Sequence, residues 1–300
     1  MATMTDQSRR QFGEAALARA AARELQRTYP FFFDQIRVPI LDLARALHLR
    51  LEERTDLRQR AQLEIREASE GNSYTIVVRS GLEQNVRRFA AAHEIGHFIL
   101  HDRHRCTIRS WDVQTQERFA NLFAAELLLS STGRALLDAN FGKLADPAEL
   151  LRMASDLGLT PYALLTTATE NRPLASGQDK IWLRIKYVVN ITTNSEPKLR
   201  IVSAHYDRNR YFVPTNQSIS TFAGADSWLS YTPVGTTCRC DTSINIKLKR
   251  PEGTSPKFLP ASVQARLSAV RLKPSANDES YFIILADMKK SELQPQLAIG

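Results

Sequence analysis

Residues 85–101, NVRRFAAAHEIGHFILH, contain the pattern His-Glu-x-x-His inside a segment that is apolar on nearly every side. This composition predicts a buried helix over about 82–101. With about 3.6 residues per turn, His93 and His97 lie one turn apart on one face, so both imidazoles can reach a single tetrahedral Zn²⁺. Glu94 points beside them, where a general base must stand to take a proton from a water activated by the metal.

The pattern fixes only three positions, so it also recurs by chance in unrelated proteins. Its context favours a metal site. A glutamate and two histidines on a helix this apolar would otherwise be buried without partners, and an unpaired buried charge is costly. A metal ion satisfies all three side chains.

A catalytic zinc site needs a third protein ligand. His101 continues the histidine series, but it lies about 12 Å along the helix axis from His93, too far to share one ion with the other two. We predict at most an indirect role for it around the site. The metzincin pattern would place Gly at 100 and His at 103, whereas the chain has Leu100 and Arg103, which excludes that class.

The next apolar helix, predicted over about 112–130, offers two carboxylates, Glu117 and Glu126. They are nine positions apart and about half a turn out of phase, so only one can face the metal. Glu117 shares its face with alanines and Asn121, which leave room for an ion, whereas Glu126 shares its face with large apolar residues. We predict Glu117 as the third ligand and Asn121 as a hydrogen-bonding partner of the site. The alternative for Glu117 is an exposed surface carboxylate.

These two helices, residues 85–101 and ERFANLFAAELLL at 117–129, resemble the core of the ImmA/IrrE family of metallopeptidases. The resemblance covers about residues 10–170. It implies that Glu94 is the catalytic base and that three residues bind zinc: His93, His97 and Glu117. It also implies cleavage of a cognate DNA-binding repressor, which relieves repression under stress or during mobile-element induction. One departure is Ser130, where the family has a helix-ending proline that is no ligand.

Charge divides the 300-residue chain into two compositional halves. Of the net charge of +8, residues 1–175 carry +1 and residues 176–300 carry +7. Lys143 is the only lysine in the first half, whereas nine lysines follow it. The polar stretch 169–179 between the halves is typical of a linker. We therefore predict a metallopeptidase domain over 1–175 and a regulatory or substrate-selecting domain over 176–300.

The predicted fold class is α+β, an α-rich zincin-like catalytic domain with a small sheet, followed by a β-rich domain. Hydrophobic periodicity predicts helices over about 8–28 and 39–47, and sheet segments over 49–67 and 73–79. Two short capped helices at 147–170 resemble a helix-turn-helix. Strands are predicted in the second half over 181–190, 199–205, 210–214, 243–249 and 281–287.

Several weaker signals have ordinary explanations. The second helix of the pair, at 161–170, offers no basic residue, which argues against direct nucleic-acid binding. The basic loop at 102–110 could contact an acidic substrate segment or be a solvated loop. Cys238 and Cys240, with His205, are thin support for a second metal. The alternative function is a non-catalytic zinc-containing regulator whose basic second half binds nucleic acid or a protein partner.

The location is predicted from what the chain lacks. No apolar run approaches the ~18 residues of a spanning helix, and the N-terminus lacks the apolar centre of a secretory signal. Three cysteines cannot all pair, which favours a reducing compartment. We expect a cytoplasmic protein without membrane contact. The sequence gives no indication of the oligomeric state.

Overall fold

The structure is a computed structural model, and it describes residues 6–66, 72–103, 111–140, 146–171, 180–188, 198–205, 211–212, 236–249, 258–272 and 281–288. The chain divides into two compact units. The first comprises Met1–Phe141 and Arg152–Ala168, and the second comprises Gly142–Leu151 and Thr169–Gly300. The predicted boundary near residue 175 lies outside the described residues and stays a prediction.

The helices of the described chain precede most of its strands. They are α1 (Asp6–Thr28), α2 (Ile40–Ala46), α3 (Gln84–Arg103), α4 (Val113–Leu128), α5 (Ser131–Asn140), α6 (Pro147–Leu157) and α7 (Pro161–Asn171). Among these described helices, none combines the length and the apolar character that a bilayer crossing requires. The helix-rich first part with a small sheet confirms the predicted α+β class.

The small sheet consists of β1 (Arg50–Arg54), β2 (Ala61–Arg66) and β3 (Ser73–Arg79) in the order β1-β3-β2. The central strand β3 runs parallel to β1 and antiparallel to β2. Its five inner residues, 74–78, are all buried, as expected for a strand covered on both faces. Tyr74 packs edge-to-face on Phe98 with ring centroids 4.9 Å apart, which attaches the sheet to α3. This order leaves β2 as an edge strand.

Ser130 has a defined role at the exit of α4. It is fully buried, its hydroxyl accepts a hydrogen bond from the Gly133 N–H at 2.9 Å, and its carbonyl accepts one from the Arg134 N–H at 2.8 Å. Serine therefore caps α5, a helix that the sequence analysis did not predict. Where the resembled family has a helix-ending proline, this chain begins a new helix.

The predicted pair of short helices is present as α6 and α7. The Asp146 carboxylate accepts a hydrogen bond from the Ala148 N–H at 2.7 Å, and the Thr160 hydroxyl accepts one from the Ala163 N–H at 3.2 Å. Both side chains are N-caps of the kind the sequence indicated. Gly158 turns the chain between the two helices with φ of +64°, a conformation that favours glycine.

The second unit contains a six-stranded sheet in the order β5-β4-β9-β8-β7-β6. Its strands are β4 (Lys180–Val188), β5 (Lys198–His205), β6 (Tyr211–Phe212), β7 (Thr237–Lys249), β8 (Phe258–Arg271) and β9 (Tyr281–Met288). Neighbouring strands are antiparallel throughout the described pairings. The β-rich prediction is confirmed, but it missed β8 and began β7 six residues late.

The sequence of β8 explains why it was missed. The strand contains Pro260 and several alanines and serines, which have low strand propensity. It is held instead by pairing on both sides, with β7 over 258–270 and with β9 over 265–271. Pro260 lies outside the part that pairs with β9, in a stretch of β8 whose described pairing is with β7 alone.

Candidate metal centre

Helices α3 and α4 approach closely at Gly96, the small residue inside the His-Glu-x-x-His pattern. A Cβ at this position would lie 3.0 Å from the Ala120 Cα and 3.1 Å from the Phe123 Cδ1, closer than ordinary packing allows. Ala120 on the facing helix is fully buried. Small residues on both helices therefore bring the histidine face of α3 within reach of Glu117 on α4.

The ligating atoms of His93, His97 and Glu117 converge. The two Nε2 atoms lie 3.1 Å apart. Glu117 Oε2 is 3.3 Å from the His93 Nε2, and its Oε1 is 3.3 Å from the His97 Nε2. One potential ligand atom from each residue lies within 4.8 Å of the other two, an arrangement that could hold a metal ion. Two imidazoles and a carboxylate are a donor set that zinc accepts.

Asn121 fixes the orientation of His93. Its side-chain oxygen lies 3.2 Å from the His93 Nδ1. In the tautomer whose Nδ1 carries the hydrogen, His93 donates this hydrogen bond and directs the lone pair of Nε2 toward Glu117 and His97. In metal sites, the ring nitrogen of a histidine ligand that does not face the metal typically has a hydrogen-bonding partner of this kind. Asn121 thus lies where the sequence predicted a hydrogen-bonding partner.

His97 and Glu117 have protonation states suited to binding a cation. Burial, with a smaller contribution from the neighbouring His93, lowers the pKa of His97 to about 4, so His97 is neutral at physiological pH. The contact with His93 holds the pKa of Glu117 below its usual value, against the opposing effect of burial. Glu117 is consequently a carboxylate facing a neutral His97.

Glu94 is buried beside this group, with 7% of its surface exposed. Burial, together with the negative charge of Glu117, raises the pKa of its carboxyl to about 6. His93 and a backbone hydrogen bond from Leu63 oppose it. The pKa of a general base is most useful close to the working pH, and this shift moves Glu94 in that direction.

The group lines a cavity of about 450 Å³. Its walls are formed by α3, α4 and the edge strand β2, and the lining residues are Gln59, Arg60, Ala61, Gln62, Leu63, Ile65, Phe89, Ala90, His93, Glu94, His97, His101, Glu117 and Asn121. His101 therefore borders the cavity without belonging to the three-residue group. Its place agrees with the indirect role that the sequence suggested.

The register of β2 determines which backbone groups face the cavity. The Arg79 N–H donates to the Arg60 carbonyl at 2.9 Å, which makes these two residues a hydrogen-bonded pair. Because such pairs alternate in an antiparallel ladder, the peptide groups of Gln62 and Glu64 also point toward β3. Those of the odd-numbered residues between them, including Leu63, point to the open edge. The hydrogen bond from Leu63 to Glu94 agrees with this assignment.

Glu126, the rejected alternative ligand, lies in different surroundings. Its Oε1 accepts hydrogen bonds from the Arg23 Nε at 3.1 Å and from the Arg134 Nη2 at 2.7 Å, and only 3% of the residue is exposed. It is a buried ion-pair partner on the far side of α4. This placement agrees with the prediction that Glu117 and Glu126 lie on opposite faces of the helix.

Other candidates from the sequence are not placed by the structure. Residues 104–110 of the basic loop and the side chains of Cys238, Cys240 and His205 lie outside the described part. The contribution of β2 to the cavity was not predicted. The alternation in Ala61–Arg66 indicates a strand, but nothing in it shows that one edge borders the metal group.

Comparison with known proteins agrees with the geometry. Residues 47–165 match the family model described as the IrrE N-terminal-like domain, Peptidase_M78. No curated protein sequence matches the chain. A solved structure, a Mycobacterium tuberculosis transcriptional regulator, is similar at 14% identity and a TM-score of 0.52, covering 93% of this chain and 91% of that one. At this identity the likeness shows a common fold only. The metal centre thus lies within a segment, residues 47–165, that is similar to the IrrE N-terminal-like domain.

Proposed function

We propose that the chain is a zinc-dependent endopeptidase that cleaves a DNA-binding repressor. The observation that carries this proposal is the convergence of His93, His97 and Glu117 in a cavity that also contains the buried Glu94. Two imidazoles and one carboxylate leave one position of a tetrahedral zinc open for reactants, which distinguishes a catalytic from a structural site. Zinc held there would polarise the scissile carbonyl and lower the pKa of a water.

Glu94 is the base in this proposal. Its carboxylate takes a proton from the attacking water and returns it to the leaving amine. Burial of Glu94 and the hydrogen bond from the Leu63 backbone hold the carboxylate beside the histidines. The hydrogen bond with Asn121 would keep His93 in the tautomer whose Nε2 can bind zinc.

The open edge of β2 supports a peptide substrate. The backbone groups of Ala61 and Ile65 point toward this edge and can pair with an extended segment, as a strand is added to a sheet. Such a segment would run along the cavity wall and past Glu94. Because backbone pairing needs no free terminus, this arrangement favours cleavage within a chain.

The identity of the substrate in this proposal follows from two similarities. The resemblance of the first domain implies a repressor as substrate, and a structural neighbour is named a transcriptional regulator. We assign substrate choice or signal reception to residues 176–300, and a cytoplasmic role in a stress response or mobile-element induction. The alternative remains a zinc-containing regulator without catalysis. The position of Glu94 beside the metal group favours the enzyme.

A cleavage assay with Glu94→Gln tests the proposal, because the amide preserves the shape of the side chain and cannot accept the proton. The zinc-loaded proteins are incubated with a repressor encoded beside this gene and with a proteome-derived peptide library, and products are read by mass spectrometry. Glu52→Gln, which alters an exposed ion pair with Arg54, is the matched control. We expect wild type and control to cleave, and Glu94→Gln to keep one zinc while losing ~10²–10⁴-fold in rate.

Two outcomes contradict the proposal. Wild-type rates in Glu94→Gln would exclude Glu94 as the base. A wild-type protein that binds one zinc but cleaves neither the repressor nor any library peptide would favour the non-catalytic regulator.

A further inference from the structure

Helix α1 packs along α4 although it lies outside the matched residues 47–165. Its buried face is built from three alanines, a leucine and one acid. The members of this face are Glu14, Ala18, Ala21, Ala22 and Leu25, each no more than 6% exposed. Their spacing follows one side of a helix, so α1 covers the side of α4 that does not face α3.

Glu14 is paired with Arg118 on α4. Arg118 donates from Nε to the Glu14 Oε2 at 3.2 Å and from Nη2 to the Oε1 at 3.3 Å. The Glu14 side chain is 5% exposed and that of Arg118 is 41% exposed. Arg118 Nη2 also lies 3.2 Å from the Thr115 hydroxyl, within the first turn of the same helix. A two-pronged arginine–carboxylate pair fixes orientation as well as distance.

Arg118 directly follows the proposed ligand Glu117. Successive residues are about 100° apart around a helix, so Glu117 faces α3 while Arg118 faces α1. At the ~5–6 Å radius of a side-chain tip, a rotation of this turn by about 20° would move the Glu117 carboxylate by about 2 Å. That displacement is large enough to take an oxygen out of bonding distance of a shared ion.

A second contact joins α1 to the other end of α4. Arg23 donates to Glu126, and the Gln26 amide donates to the carbonyls of Glu126 and Leu129 at 3.1 and 3.2 Å. These contacts lie nine or more residues from Glu117 along α4. They hold the far end of the helix, whereas the Glu14–Arg118 pair contacts its first turn.

We propose that Glu14 is a positioning residue for the metal site, which sets the rotation of the first turn of α4 through Arg118 and thereby places Glu117 opposite His93 and His97. The inference rests on the metal binding proposed above. It makes α1 a brace of the metal centre, by which we mean a helix that holds a metal ligand in position. This helix lies outside the matched residues 47–165.

Binding of Co²⁺ alone to the full-length metal-free protein tests this inference, because the visible absorption of Co²⁺ reports ligand number and geometry without any substrate. In Glu14→Gln we expect affinity to fall about 10–100-fold, as for other partners that orient metal ligands. We also expect its absorption bands to change in the direction of Glu117→Ala. Arg118→Lys, which retains the charge and loses the two-pronged geometry, should shift both readouts less and in the same direction.

Arg23→Gln is the structural control, since it removes a contact between the same two helices away from Glu117. We expect a lower unfolding temperature with a wild-type Co²⁺ spectrum. Wild-type affinity and spectrum in both Glu14→Gln and Arg118→Lys would overturn the brace while leaving the metal site standing. Equal spectral changes in Arg23→Gln would overturn it as well, because general loosening would then explain the effect. A wild-type protein that binds no Co²⁺ would overturn the metal site itself.

Discussion

The two sides of α4 hold glutamates in opposite surroundings. Glu117, on the side of α3, has half of its side chain exposed and contacts two histidines. Glu126, on the side of α1 and α5, is 3% exposed and contacts two arginines. The more deeply buried carboxylate is therefore the one with a structural role, and the exposed one belongs to the candidate site.

The partners explain this difference. Arginine is charged at every relevant pH, so Arg23 and Arg134 neutralise Glu126 permanently. Burial keeps His97 neutral, so it cannot neutralise Glu117 in the same way. The carboxylate of Glu117 is thus available to a bound cation. Burial alone would have selected the wrong carboxylate as the functional one.

Replacement of Glu117 and of Glu126 by alanine is the strongest test of the difference between the two sides of α4. Glu117→Ala removes a direct ligand, so we expect Zn²⁺ affinity to fall by more than about 100-fold, beyond the loss typical of an orienting partner. Glu126→Ala should retain zinc and lose about 2 kcal/mol of stability, because two partly exposed arginines lose a shared acceptor. Metal content and urea unfolding of both purified variants provide the measurement. Zinc loss in Glu126→Ala instead would show that the ligand assignment is wrong.

Gly96→Ala tests the close approach that brings the two helices together at the metal side. The added Cβ would meet the Ala120 backbone at 3.0 Å, so we expect a loss of about 1–3 kcal/mol in the free energy of unfolding and weaker zinc binding. Gly13→Ala is the matched control, because a Cβ there meets nothing within 4 Å and α1 is helical at that point. The control should gain up to about 1 kcal/mol. Equal stability changes in the two variants would contradict tight packing at Gly96.

Much of the metal side of α4 could be predicted because its signals are local. The spacing of His93 and His97 and the half-turn between Glu117 and Glu126 follow from helix geometry alone. The caps of α6 and α7 are likewise local, since Asp146 and Thr160 bond to residues two and three positions away. Interactions between residues so close in the chain can be predicted from a single sequence.

Features that depend on distant pairing could not be predicted. Arg23 reaches Glu126 across 103 positions, and nothing in either segment specifies that contact. The open edge of β2 follows from the strand order β1-β3-β2. In this sheet the strand that comes last in the sequence, β3, lies in the centre. The strand β8 is held by its two neighbours against its own low propensity. In each case the deciding energy comes from a partner far away in the chain.

Removal of the second half of the chain should have the smallest effect on zinc affinity among these changes. A protein that ends at residue 175 retains α6 and α7, whose apolar residues Leu150, Met153, Leu157 and Leu164 are each no more than 2% exposed. All residues assigned to the reaction, to metal binding or to the brace lie before residue 130. We therefore expect the truncated protein to fold and bind one zinc with an affinity within about twofold of wild type, well below the effect of losing an orienting partner.

We expect the truncated protein to be defective in recognition of its substrate. If residues 176–300 choose the substrate, the truncated protein should cleave the cognate repressor weakly or not at all, while its zinc content and melting temperature stay close to those of wild type. Limited proteolysis followed by metal analysis and the cleavage assay measures all three properties. The grouping of Gly142–Leu151 with the second unit makes this a demanding test, because the start of α6 could need that unit for its packing. Aggregation or loss of zinc on truncation would show that the second half is part of the catalytic fold, and the division at residue 175 would then be wrong.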